Sequence, residues 1–168
     1  MLLQNLPHIE ISSIPEILQT IEISPPTLLL VDDDITFCDV LGHALERRGY
    51  AVRCAHSAEE ALPLLHDMQP EYAVFDLKLP GASSMVLVDF LHRIKPDARV
   101  VVLSGYASVA TAVDAVRLGA IQFLSKPANA DEVVAAFTYK PQAQADLFLP
   151  RPFSGQQEAE YLKRVLHE

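Results

Sequence analysis

The chain has 168 residues, half of them hydrophobic, and a formal net charge of −9. That length and apolar content suit one domain of ordinary size plus some extension, while the acidic balance speaks against a nucleic-acid-binding face in the chain as it stands, because phosphates are neutralised by clustered Lys and Arg. Two cysteines, Cys38 and Cys54, are too few for a disulfide framework or a metal knuckle and read as reduced core residues of a cytosolic protein.

Residues 1–26 read as an N-terminal extension, apolar and acidic, interrupted by Pro7 and Pro15 and bounded by Pro25 and Pro26. It carries Glu10, Glu16 and Glu22 but no Lys or Arg, so it lacks the basic start of a secretory or mitochondrial signal. No apolar run approaches the ~18 residues of a membrane span. A cytoplasmic protein with no membrane partner is expected.

From Thr27 onward strand and helix patterns alternate. The first strand candidate is Leu28–Val31, followed by a helix from about Thr36 to Arg48 with Phe37, Val40, Leu41, Ala44 and Leu45 on one face and Gly49 as its stop. The second strand is Ala51–Cys54. Its helix opens at "SAEE", where Ser57 and Glu60 have capping-box spacing, and Pro63 is expected to kink it. The third strand, Tyr72–Phe75, precedes a helix over roughly Ser84 to Ile94. The fourth, Val100–Leu103, precedes a helix over Ser108 to Leu118 that ends at Gly119. The fifth, Ile121–Leu124, precedes a helix opening at "NADE", with Asn129 and Glu132 again at capping spacing. Short strands that are apolar on both faces belong to covered parallel sheets. Five such units predict an α/β fold, a doubly wound five-stranded parallel sheet between helical layers.

Ligands of such sheets sit outside the carboxyl ends of the strands. Asp32, Asp33 and Asp34 follow the first strand, Asp76 the third, Ser104 the fourth, and Lys126 and Pro127 the fifth; Ala55 and His56 after the second add nothing obvious. Crowded carboxylates favour a hard divalent cation, and Mg²⁺ takes oxygen ligands. A carboxylate nucleophile also needs its charge masked before an anionic phosphoryl group approaches, which Mg²⁺ and a lysine do, while a hydroxyl holds a further phosphoryl oxygen. Acids, one hydroxyl and one lysine at a single sheet edge are therefore the set that phosphoryl transfer to an aspartate requires.

The motifs "LLLVDDD", "VFDLKLPG", "VVLSGYAS" and "GAIQFLSKPANADEV", in this order, resemble the receiver domain of two-component response regulators, over residues 27–139. The resemblance implies a flavodoxin-like three-layer sandwich that accepts a phosphoryl group from a sensor histidine kinase and does not turn over substrate as an enzyme. It implies Asp76 as phosphoacceptor. Mg²⁺ would be held by Asp32, Asp33, Asp76 and the backbone carbonyl of Lys78, with Asp32 acting through water. It places Ser104 and Lys126 on the phosphoryl oxygens, and Ser104 with Phe123 as the switch pair. Homodimerisation on phosphorylation is implied, through the fourth helix, fifth strand and fifth helix, with Val109, Ala112, Val113 and Val116 of that fourth helix as core or interface candidates. The chain departs from the family's pattern at Ser83 and Ser84, where receivers usually show Asp-Gly, so that loop is expected to differ in conformation or mobility. Lys78 and Tyr106 fill the variable positions flanking the phosphosite, and Phe123 lacks the hydroxyl of the commoner Tyr.

The stretch from Val101 to Val133 is similar to the RegA/ActR/PrrA/RoxR group of redox-responsive regulators, in which a Pro-containing linker leads to a Fis-type helix-turn-helix. Residues 140–155 resemble that linker. Residues 156–168 resemble the first helix of the DNA-binding unit, with Tyr161, Leu162, Val165 and Leu166 at helical spacing. The implied role is transcription regulation, with DNA contacted only through a C-terminal domain that is truncated or lost here. A plain amphipathic helix packing on its own receiver is the alternative for this tail. Two alternatives for the whole chain stay open. One is a haloacid-dehalogenase-type phosphatase with Asp32 as nucleophile, Asp34 as acid and Thr36 completing the motif. It leaves Asp76 idle and finds only Asp131 and Glu132 for its later acidic pair. The other is a degenerate receiver acting without phosphorylation.

Overall fold

The computed structural model describes residues 23–81, 83–105, 109–140, 153 and 156–166. Tyr106, Ser108, residues 1–22 and most of the linker lie outside them. Five strands, β1 (Thr27–Val31), β2 (Ala51–Ala55), β3 (Tyr72–Asp76), β4 (Arg99–Ser104) and β5 (Ala120–Ser125), form one parallel sheet in the order β2-β1-β3-β4-β5. Helices α1 (Ile35–Glu46), α2 (Ala58–Met68), α3 (Ser84–Ile94), α4 (Val109–Arg117) and α5 (Ala130–Phe137) alternate with them, and α6 (Gln157–Leu166) follows.

The period-two alternation of side chains sorts the core into two layers. Leu28 and Leu30 of β1 join Val74, Val101 and Leu103 under α1 and α5. Leu29 and Val31 join Phe75, Val100 and Val102 under α2, α3 and α4. All four β1 residues Leu28–Val31 are fully buried, which explains the continuous apolar run. Each such side chain contributes about 1.5–3 kcal/mol of burial. The strand is thus held from both faces, and its carboxyl end is fixed in place.

Local signals set the element ends. Ser57 accepts from the Glu60 N–H at 3.2 Å, while the Glu60 carboxylate reaches back to the His56 N–H at 2.8 Å, one residue beyond a capping box. At Asn129 the box is complete, with Glu132 returning to the Asn129 N–H at 2.8 Å. Gly49 and Gly119 stop α1 and α4 at φ +93° and +115°. Helix α2 continues through Pro63 to Met68.

Two expectations change. Strand β2 is an edge strand with Arg53 and Cys54 exposed, so it is not apolar on both faces, and Cys54 is not a core residue. Val40 is 68% exposed: the buried stripe of α1 is Cys38, Leu41, Gly42 and Leu45, and Val40 falls outside its arc. Ser83 and Ser84 form a tied connection. Ser83 caps α3 by accepting from the Met85 N–H at 3.3 Å, and the buried Ser84 hydroxyl donates to the Leu77 carbonyl at 3.0 Å.

The C-terminal segment packs on α2 and α3. Tyr161 lies 5.9 Å from Phe90 at an interplanar angle of 23°, and Phe153 sits 5.2 Å from Tyr161 and 5.8 Å from Phe90. The Phe153 N–H donates to the Arg93 carbonyl at 3.1 Å, and His66 meets Glu158 at 2.5 Å. Tyr161, Leu162 and Val165 face the receiver core, whereas Leu166 is exposed. No helix among the described residues is long and apolar enough to cross a membrane.

Candidate functional site

From β1, inside the sheet, the chain goes out to β2 and returns past β1 to β3. That reversal opens a crevice at the carboxyl ends of β1 and β3, where a doubly wound sheet binds its ligand. The register fills it. Val31 pairs with Phe75, so Asp32 and Asp76 stand one residue further along neighbouring strands. Asp76 pairs with Leu103, Ser104 with Ser125, and the Lys126 N–H donates to the Ser104 carbonyl at 2.8 Å. Asp76, Ser104 and Lys126 therefore lie at one level of the sheet edge.

Carboxylate oxygens of Asp32, Asp33 and Asp76 lie within 4.8 Å of one another. Asp32 is fully buried and Asp76 is 5% exposed, while Asp33 is open to solvent. The Lys126 ammonium bridges the two buried acids, 2.5 Å from Asp32 Oδ2 and 3.3 Å from Asp76 Oδ1. The other Asp32 oxygen accepts from the Asp34 N–H at 2.9 Å. An open cavity of about 460 Å³ is lined by Asp33, Asp76, Lys78, Leu79, Pro80, Gly105 and Lys126. Ser104 is buried beside the lining residue Gly105, and Phe123 is partly buried against the core two residues before Ser125, the ladder partner of Ser104.

Burial and then the neighbouring Asp32 charge raise the Asp76 carboxyl above the usual range, with Lys126 pulling the other way. Burial of Lys126 favours its neutral form, but its hydrogen bond and charge contact with Asp32, together with Asp76, raise it overall. Three carboxylates against one ammonium leave surplus negative charge in a small volume. An oxygen-coordinated divalent cation balances that charge, and the mixture of buried and open acids fits an ion that keeps part of its water shell. An aspartate whose folded value is raised opposes folding once it ionises, so metal-free stability falls as pH rises from the ordinary carboxylate range through the raised value. Asp76→Asn is accordingly expected to raise the metal-free melting temperature at pH 7 by a few degrees, about 2–4 °C per kcal/mol at this size. Mg²⁺ should stabilise the native protein more than this variant. Calorimetry with and without the cation checks both.

Other acids are engaged elsewhere. Asp34 caps α1, accepting from the Phe37 N–H at 3.0 Å. Asp131 pairs with Arg48 at 2.6 Å and Glu132 completes the α5 cap. The further acids that a dehalogenase-type arrangement would need beside Asp32 thus serve as helix caps or surface partners. Three contributors carried no motif in the sequence. The Phe37 ring lies 4.7 Å beneath the Lys126 ammonium. His56 Nδ1 lies 3.0 Å from the Asp32 carbonyl, and the Cys38 thiol donates to that same oxygen at 3.3 Å.

Residues 28–138 match the model of the response regulator receiver domain family. The chain is similar to the acid tolerance regulatory protein ActR of Rhizobium meliloti, 42% identical over 115 residues covering 68% of this chain and 59% of that protein. It is similar to the photosynthetic apparatus regulatory protein RegA of Cereibacter sphaeroides, 44% identical over 117 residues covering 70% of this chain and 64% of that one. It thus spans under two thirds of these curated relatives. Among solved structures it is similar to a Burkholderia pseudomallei response regulator carrying a phosphorylated aspartic acid and a calcium ion. That match has a TM-score of 0.64 and 41% identity, and covers 82% of this chain and 74% of that one. With the five-stranded sheet and its acidic carboxyl-end crevice, these matches show that the chain belongs to the response regulator receiver domain family.

Proposed function

We propose that this protein is a phosphorylation-controlled signalling module whose phosphoacceptor is Asp76 and whose donor is a phosphohistidine on a sensor kinase. One observation carries the reading: three carboxylates within 4.8 Å of one another, two of them bridged by Lys126. An Asp76 oxygen attacks phosphorus, the P–N bond breaks, the imidazole leaves, and an acyl phosphate forms. Lys126, already 3.3 Å from Asp76, meets the new phosphoryl oxygens. The Ser104 hydroxyl, at the same level of the sheet edge, turns to them as the second contact, and Phe123 repacks in response. Asp32, Asp33, Asp76 and the Lys78 carbonyl would hold Mg²⁺, which when bound supplies positive charge against the incoming anion. Asp76 is consumed and regenerated rather than turning over a substrate, so the role is that of a phosphoacceptor and not of an enzyme. Uptake of one phosphoryl group from a small acyl phosphate should require Mg²⁺ and stop with chelator. Equal uptake in chelator would contradict the metal assignment.

In our reading residues 27–139 are the receiver, residues 140–155 the linker, and residues 156–168 lead toward a DNA-binding output that regulates transcription in the cytoplasm. The likeness to ActR and RegA, both named regulatory proteins, supports this. The docking of α6 on α2 and α3 supports a tail that is stowed on the receiver in the unphosphorylated state. Val113 and Val116 on α4 are exposed and Ala115 is buried, which gives α4 an apolar outer face for a second copy; the Val109 side chain lies outside the described residues. Sedimentation with Mg²⁺ and beryllofluoride should show a rise from monomer to dimer mass, and an unchanged mass would contradict dimerisation through this face.

A further inference from the structure

The two cysteines, sixteen positions apart in the sequence, are neighbours in the fold. Cys38 lies on the buried stripe of α1, and Cys54 lies near the end of β2, paired with Leu30 of β1. Gly42, one helical turn beyond Cys38, has no side chain, and the Cys54 sulfur lies 3.6 Å from where its Cβ would stand. Val52, two residues before Cys54 on the same strand face, packs with Cys38 in one cluster. The two thiols are close enough that each perturbs the other's ionisation. One is fully buried and the other exposed, and both are free. That asymmetry separates the roles: solvent reaches Cys54, and Cys38 waits behind it.

We propose that Cys38 and Cys54 are a peroxide-reactive dithiol that closes to an intramolecular disulfide, with Cys54 as the attacking sulfur and Cys38 as the resolving one. The Cys54 sulfur attacks one oxygen of a hydroperoxide, the O–O bond breaks, and the distal oxygen leaves as hydroxide or alkoxide. The resulting sulfenic acid is attacked by the Cys38 sulfur, the S–S bond forms, and water departs with the Cys38 proton. With hydrogen peroxide the sum is two thiols and one peroxide giving one disulfide and two waters, a two-electron oxidation of the protein. The adjoining Cys38 thiol and the nearby His56 hold the Cys54 thiol down to about 7, against the opposing effect of burial, which favours the reactive thiolate near neutral pH.

The consequence reaches the acidic crevice. An S–S bond of about 2.05 Å is far shorter than any non-bonded sulfur contact, so closure draws α1 toward β2. It also removes the S–H that donates to the Asp32 carbonyl at 3.3 Å. Asp32 carries the 2.5 Å contact to Lys126, so its displacement disturbs the site. This coupling rests on the phosphoacceptor reading given above; closure of the disulfide does not.

The test treats the full chain with hydrogen peroxide, alkylates remaining thiols, and divides each sample between tryptic mass mapping and phosphoryl uptake from an acyl phosphate with Mg²⁺. The expected result is a linked pair of peptides, one ending at Arg47 and one beginning at Cys54, with uptake slowed about tenfold or more and restored by dithiothreitol. Cys38→Ala, which keeps a small apolar residue in the core, should leave Cys54 with added oxygen and no link. Oxygen added to Cys54 of the native chain without a link overturns the dithiol. A link with unchanged uptake overturns its control of the site. If the reduced protein accepts no phosphoryl group, the functional reading fails, while linked peptides in the same sample still uphold the dithiol.

Discussion

Gly119→Ala is expected to lower folding stability by about 2–5 kcal/mol. Two independent costs combine at this position. The residue holds φ at +115°, where an L side chain is strained. A Cβ would also stand 2.7 Å from Cγ and Nδ1 of His92. The ring has little room to retreat, because His92 is 6% exposed on the buried face of α3. Its Nδ1 finds no hydrogen-bond partner among the described residues. Burial lowers the His92 pKa, opposed by Asp89, so the ring is held neutral and its protonation below the ordinary histidine range opposes folding. Denaturant unfolding of Gly119→Ala, His92→Ala and the double variant separates the terms. The double variant should relieve the two 2.7 Å ring contacts but retain the backbone strain and the 3.0 Å approach to the Cβ of residue 92, giving a coupling of about 1–3 kcal/mol. Additive effects would mean that the ring moves freely.

Lys126→Met is the second large effect. The substitution keeps an unbranched stem and deletes the charge. It leaves the fully buried Asp32 without its 2.5 Å partner and Asp76 without its 3.3 Å partner. Removing one member of a buried pair costs about 3–5 kcal/mol, because the remaining charge stays desolvated. The loss should be fully present at neutral pH. It should shrink as pH falls through the raised value of Asp76, since the native state then takes up the proton that relieves the crowding. Saturating Mg²⁺ should offset much of it, about 2.7 kcal/mol at a hundredfold excess over the dissociation constant. A metal-free variant within about 0.5 kcal/mol of the native chain would mean that solvent screens the cluster.

Much of this site was legible because strand ends and ligand sites coincide in a doubly wound sheet. Once Leu28–Val31, Tyr72–Phe75, Val100–Leu103 and Ile121–Leu124 read as strands, Asp32, Asp33, Asp76, Ser104 and Lys126 fell at one edge, and the register bears that out. Asn129 and Glu132 were legible for a similar reason: a capping box is local chemistry at fixed spacing. What escaped depends on packing between segments distant in the chain. Phe37 reaches Lys126, and His56 and Cys38 reach the Asp32 carbonyl, only after β1, β2 and α1 have assembled. Cys54 looked like a core residue because an apolar strand does not announce that it will sit at the sheet edge. The bonds that Ser83 and Ser84 make escaped as well, because a departure from a family's pattern says nothing of what replaces it.

Intact mass tests the central claim most directly. The native chain, Asp76→Asn and Asp32→Asn are each incubated with Mg²⁺ and an acyl phosphate. The expected result is one added phosphoryl group on the native chain and none on Asp76→Asn, with uptake by Asp32→Asn reduced as its share of the cation site is lost. An adduct that persists in Asp76→Asn and vanishes in Asp32→Asn would move the nucleophile to the end of β1 and contradict the assignment.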